Sequence, residues 1–130
     1  MGKPKSLLPF QGKTLLEYQV KSLANMGVLP IVVLGFHQEQ IRKMIPELSH
    51  SATVIANPSP ELGQFSSLKL ALKQIKNNST FILPLDTPAP EPHIWNELEA
   101  NLKSHWVVVP RNKNRGGHPV LISSSFVNHL

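Results

Sequence analysis

The chain has 130 residues, 41% of them apolar and 16% charged, with a net charge of +5 and no cysteine. That is enough apolar content for one ordinary core, too much for a disordered chain, and it leaves no thiol for a disulfide staple or a thiolate metal site. No stretch approaches the roughly 18 apolar residues that span a bilayer, and the start lacks the apolar core of a signal peptide, so a cytoplasmic location without membrane partners is expected.

In chain order, "TLLEYQVKSLANMG" opens with Thr14 as an N-cap and Glu17 three residues on, the spacing of a capping box. Leu16, Val20 and Leu23 share a helical face, and Gly27 is placed to end the helix. The apolar, β-branched run "LPIVVLG" suits a strand covered on both faces. A second helix is expected through Ile41, Met44, Ile45 and Leu48, with Pro46 in conflict with its last turn. "ATVIA" reads as a strand, and "SSLKLALKQIKNN" puts Leu68, Ala71, Leu72 and Ile75 on one helical face behind a serine pair able to cap it. "TFILPLD" is the next expected strand. Pro90 and Pro92 lead into a helix carrying Ile94, Trp95, Leu98 and Leu102, since proline suits a first helical turn. "HWVVVP" and "HPVLIS" read as strands, and the last residues as the start of a helix. Trp95 and Trp106 fall in apolar periodic runs and are expected in the core.

Helices alternating with apolar strands imply crossover units and a mostly parallel sheet, an α/β fold in a single domain over residues 1–130. Ligands in such folds sit outside the carboxyl ends of the strands, so the residues just after each strand are the candidates for chemistry. Asp86 ends "FILPLD", where a carboxylate can hold a hard cation or, equally, form an Asx turn. In "NPSPELGQFSSL", Gly63 permits a close backbone approach and Ser66 and Ser67 lie at a helix start; the segment reads either as an anion site or as a long loop ending in a cap. "RNKNRGGHPVL" places Arg111, Lys113 and Arg115 before a glycine pair, a basic mobile loop suited to cover phosphates, with His118 at a strand start. Lys3, Lys5 and Lys13 form the other basic group. Neither group is interleaved with aromatics, so nucleic acid is disfavoured as a partner, leaving a small phosphate ligand or scattered solvated charge.

Five stretches in order, "MGKPKSLLPFQGKTLLEY", "VVLG", "NPSPELGQFSSLKLAL", "LPLDTP" and "VVVPRNKNRGGHPVL", together resemble the MobA-like nucleotidyltransferases, which include the enzymes joining CTP or GTP to molybdopterin. The resemblance implies a three-layer Rossmann-like fold of the nucleotide-diphospho-sugar transferase type. It also implies transfer of a nucleoside monophosphate to a small phosphorylated acceptor such as molybdopterin, with release of pyrophosphate. Gly2 and Lys5 match a G-x-x-K segment whose lysine contacts nucleotide phosphates. Asp86 matches the aspartate that binds Mg²⁺. Gly63, Gln64, Ser66 and Ser67 align with the wall of the base pocket, and "SSL" is more similar to the cytidylyl branch than to the G-P-L of the guanylyl branch, favouring CTP over GTP. Gly117, His118 and Pro119 match a G-H-P-V element near the acceptor.

The same resemblance marks departures. Family members begin with an apolar strand and an L-A-A-G-x-x-x-R loop ahead of the segment that opens this chain, and continue past G-H-P-V to a strand with acidic residues. The expectation is therefore a domain lacking its first strand and its C-terminal part, with Lys5 and Asp86 as the remaining catalytic pair and doubtful turnover. A non-catalytic remnant that binds a nucleotide or another protein, and a transferase for a different acceptor such as a sugar phosphate, are the alternatives.

Overall fold

The computed structural model describes residues 4–75 and 77–130, and the chain divides into two units between Lys73 and Gln74. In the first unit, Pro4 leads into a 3₁₀ turn, Lys5–Leu7, closed by the Leu7 N–H donating to the Pro4 carbonyl at 2.9 Å. β1 (Pro9–Phe10) and β2 (Lys13–Thr14) pair antiparallel across Gln11 and Gly12. Those two residues have φ of 50° and 78°, the left-handed pair whose twist matches a tight hairpin. α1 (Leu15–Asn25) starts on the expected capping box: Thr14 Oγ1 accepts from the Glu17 N–H at 3.2 Å, and Glu17 Oε1 accepts from the Thr14 N–H at 3.2 Å. Leu16 and Val20 are buried, and α1 packs on β2 and on the 3₁₀ turn.

β3 (Ile31–Leu34) and β4 (Thr53–Ala56) run parallel, in register from Ile31 opposite Thr53 to Leu34 opposite Ala56. Parallel neighbours need a crossover, here α2 (Gln38–Met44) and α3 (Leu48–Ser51). The break between them falls at Ile45, whose φ of −129° and ψ of 70° are non-helical, because the residue before Pro46 is pushed out of the helical region. Ile41, Ile45 and Leu48 nevertheless all point inward. After a second 3₁₀ turn, Pro60–Leu62, α4 (Gln64–Leu72) packs on β3. It stops before Ile75, which the expected helical face had included. The strands are less covered than expected: of β3 only Leu34 is buried, since a two-stranded ladder makes each strand an edge of it.

The second unit holds β5 (Thr80–Ile82), α5 (Pro92–Leu102), β6 (Val107–Val108), the hairpin β7 (Arg111–Asn112) and β8 (Arg115–Gly116), β9 (Val120–Ile122) and α6 (Ser124–His129). The sheet order is β5–β9–β6, with β9 antiparallel to both neighbours. β5 and β6 thus run in one direction and β9 in the other. The reversal has a local cause: the chain from β6 to β9 contains a hairpin and no helix to carry it back across the sheet. Leu121, at the centre of β9, is 0% exposed, and α5 packs Leu98 against this sheet. Trp95 is half-buried, edge-on to Phe81 at 4.8 Å, with its Nε1 donating to the Pro90 carbonyl at 3.1 Å. Trp106 is not in the core. It is 52% exposed just ahead of the edge strand β6 and leans on Phe126 and His129 of α6 at ring distances of 5.7 and 5.5 Å. The fold is mixed α/β with parallel strands, as the alternation predicts. Among the described residues no helix is long and apolar enough to cross a membrane.

Candidate functional site

In the first unit the parallel register brings the carboxyl ends of β3 and β4 side by side, so Gly35 and Asn57 emerge together. Asn57 extends the ladder by donating its N–H to the Leu34 carbonyl at 2.7 Å. The segment from Asn57 to Ser67 then folds back on itself. Pro60 lies so close to Gly35 that a Cβ built there would stand 2.8 Å from Pro60 Cβ. Gly63 follows with φ 90° and ψ 179°, a region essentially reserved for glycine.

The serine pair does not cap α4 as expected. The helix begins two residues earlier, at Gln64, with Gly63 in the N-cap position and no side-chain cap. Ser66 and Ser67 stand instead in the first turn, half-buried, and Ser66 Oγ donates to the Gly63 carbonyl at 2.7 Å. Both hydroxyls accept from Asn57 Nδ2, each at 2.9 Å, while Asn57 Oδ1 accepts from the Ser59 N–H at 2.9 Å. Gly63, Gln64, Ser66 and Ser67 therefore do form one cluster, organised by an asparagine that the sequence reading passed over as a loop residue. The signal was available: an asparagine directly after a strand and ahead of two prolines is a residue able to bond the backbone two positions on. Lys5 sits in the same unit, exposed on the 3₁₀ turn whose Ser6 and Leu7 are buried. Gly2 lies outside the described residues.

In the second unit β5 ends at Ile82, because Pro84 cannot donate to a ladder. Asp86 is exposed four residues further on, in a turn closed by the Thr87 N–H donating to the Pro84 carbonyl at 3.2 Å. Ile82 pairs with Val120, so the chain leaving β5 toward Asp86 and the chain entering β9 through Gly117, His118 and Pro119 stand at the same end of the sheet. Pro119 is buried behind a cis peptide bond and His118 is exposed. The Gly117 N–H donates to the Pro110 carbonyl at 2.9 Å, tying this entry to the exit of β6.

The basic segment is a tight hairpin and not an open loop. Lys113 and Asn114, with φ of 51° and 68°, make the turn between β7 and β8. Asn112 is opposite Arg115 and Arg111 opposite Gly116, so strand alternation sends the two arginines to opposite faces of the ribbon. Only one of them can serve a ligand on a given face. A groove of about 530 Å³ runs along α5 and β6, lined by Ile94, Leu98, Val107 and Val109 with Glu97 and Arg111 at its edge. Of the basic hairpin it includes only Arg111, and it includes neither Asp86 nor the Gly117–Pro119 segment. Among the described residues no group of three or more His, Cys, Asp or Glu could hold a metal. An exposed carboxylate such as that of Asp86 is of the donor type that suits Mg²⁺ when phosphates and water complete its octahedron.

Known proteins resemble this chain along most of its length. The molybdenum cofactor cytidylyltransferase of Escherichia coli K12 is 25% identical over 123 residues, covering 95% of this chain and 63% of its own length. A crystal structure from Mycobacterium tuberculosis H37Rv superposes with a TM-score of 0.79 at 20% identity, covering 99% of this chain and 67% of that one. A nucleotidyl transferase from Methanothermobacter thermautotrophicus gives a TM-score of 0.77 at 20% identity, covering 96% and 61%. The chain thus spans roughly two thirds of the length of the proteins it matches, and its fold is the Rossmann-like fold of nucleotidyltransferases. The family model described as the MobA-like NTP transferase domain matches residues 1–130, and the chain belongs to that family.

Proposed function

We propose that this nucleotidyltransferase-family domain transfers CMP from CTP to molybdopterin in the cytoplasm. An acceptor phosphate oxygen attacks the α-phosphorus, the bond between the α-phosphorus and its bridging oxygen breaks, and pyrophosphate leaves. The observation that carries the reading is the match to a molybdenum cofactor cytidylyltransferase along 95% of this chain. The site residues suit it. Gly63, Gln64, Ser66 and Ser67 offer backbone and hydroxyl groups to the base, and Lys5, in the segment that Gly2 opens, neutralises phosphate charge. Asp86 is the ligand for Mg²⁺, which when bound would offset the charge of the triphosphate. Gly117 and His118, with Pro119 buried behind them, meet the acceptor at the end of the sheet where Asp86 also emerges. Such a reaction needs orientation and positive charge more than an acid–base pair.

The test is pyrophosphate release with CTP, Mg²⁺ and molybdopterin. Release is expected with CTP in preference to GTP, and Asp86→Ala should abolish it, with a melting curve to establish that the variant is folded. Release with a sugar phosphate and none with molybdopterin would replace the acceptor. A folded chain that releases no pyrophosphate from either nucleotide with any phosphorylated acceptor would refute the proposal.

A further inference from the structure

The amide of Asn57 is 1% exposed, so it cannot itself meet a ligand, yet it touches both serines of the segment assigned to the base. Its orientation is fixed by chemistry. The Ser59 N–H can only donate, so the amide oxygen must face it and the NH₂ must face the hydroxyls. Both amide protons are then spent, one on Ser66 Oγ and one on Ser67 Oγ. Each hydroxyl is thereby forced to accept from Asn57, and the Ser66 proton goes to the Gly63 carbonyl at 2.7 Å. The Ser67 proton is left without a protein acceptor among the described residues, aimed away from an amide that can only donate to it.

We propose that Asn57 is a positioning residue that polarises this pair, making Ser67 a hydrogen-bond donor to a ring acceptor of the nucleotide, such as the carbonyl oxygen or ring nitrogen of cytosine. The inference rests on the reading that Gly63–Ser67 lines the base pocket. An acidic replacement of the same shape reverses the polarity: Asn57→Asp keeps an acceptor for the Ser59 N–H, but its second oxygen takes the Ser67 proton.

Calorimetric titration with CTP and Mg²⁺ tests this, with melting curves to establish folding. Asn57→Asp is expected to weaken CTP binding by roughly five- to thirty-fold, the loss of one hydrogen bond in a partly dry site. Ser67→Ala should do the same. The double variant should bind no more weakly than Ser67→Ala alone, since both act on one proton. A merely structural asparagine would lower Tm and leave CTP affinity unmoved, or give additive losses, and either result overturns the proposal. Should Asn57→Asp not fold, Ser67→Ala decides: unchanged CTP affinity overturns it and a comparable loss supports it. Wild-type protein that does not bind CTP would overturn the nucleotide reading and this inference with it, whereas wild-type binding with unaffected variants overturns this inference alone.

Discussion

Gly35→Ala sets two effects against each other whose sizes differ enough to give a sign. The backbone of Gly35 is not in the left-handed region, so alanine can adopt it, and the loss of unfolded-state freedom would stabilise the fold by about 0.4–1 kcal/mol. Against that, the new methyl would stand 2.8 Å from Pro60 Cβ, well inside the roughly 3.5–4 Å at which carbon atoms attract. Pro60 has no alternative rotamer to withdraw into, so the 3₁₀ turn Pro60–Leu62 must move as a body. Overpacking of this kind costs about 1–3 kcal/mol. The net is a destabilisation of about 1–2 kcal/mol, a fall in Tm of roughly 3–8 °C for a chain of this size. The turn leads straight into Gly63, whose carbonyl holds Ser66, so CTP affinity should fall as well. Because the nearest atom is a Cβ, Pro60→Ala retains the clash and Pro60→Gly removes it. In the Gly35→Ala background the glycine should recover part of the loss and the alanine should not. Thermal melts and a CTP titration on the single and double variants measure this, and a Tm for Gly35→Ala equal to or above that of the parent would refute the reasoning.

Gly63→Ala, at φ 90° and ψ 179°, is expected to cost about 1–3 kcal/mol in backbone strain although its Cβ would meet open space; chemical denaturation reads the loss. Leu121→Ala, at the wholly buried centre of β9, should cost about 3–5 kcal/mol by the same measurement, a large part of a typical domain's stability. Thr80→Val should go the other way. Thr80 Oγ1 is buried without a hydrogen-bond partner among the described residues, and an apolar isostere removes that desolvation cost, raising stability by roughly 1 kcal/mol with no effect on CTP binding.

What could be read from the residues and what could not divide along a physical line. Periodicity and caps are local, so Thr14 with Glu17 marks the start of α1, and Pro46 marks the break at Ile45, from residue type alone. Pairing between distant strands is not local. Nothing in "HPVLIS" says that Val120–Ile122 inserts antiparallel between β5 and β6, and the placement of Trp106 on an edge follows from that insertion. The two hairpins escaped for another reason. Gln-Gly and Lys-Asn stand between strands of only two residues each, too short to show alternation, so the left-handed turn residues were the one available sign.

The site follows the same division. The family resemblance could carry over the residues that a motif contains, such as Lys5, Asp86 and the serine pair. It could not carry over the partner of the two serines, because Asn57 owes its contacts to a register: Leu34 opposite Ala56 places its N–H on the Leu34 carbonyl and its side chain beneath the first turn of α4. Residue type alone allowed Ser66 and Ser67 to be caps, anion ligands or surface hydroxyls. The structure removes the cap, since Gly63 holds the N-cap position, and it shows both hydroxyls accepting from one buried asparagine. The buried amide accepts from the Ser59 N–H and donates to both hydroxyls, so a change at Asn57 reaches this segment from inside the protein.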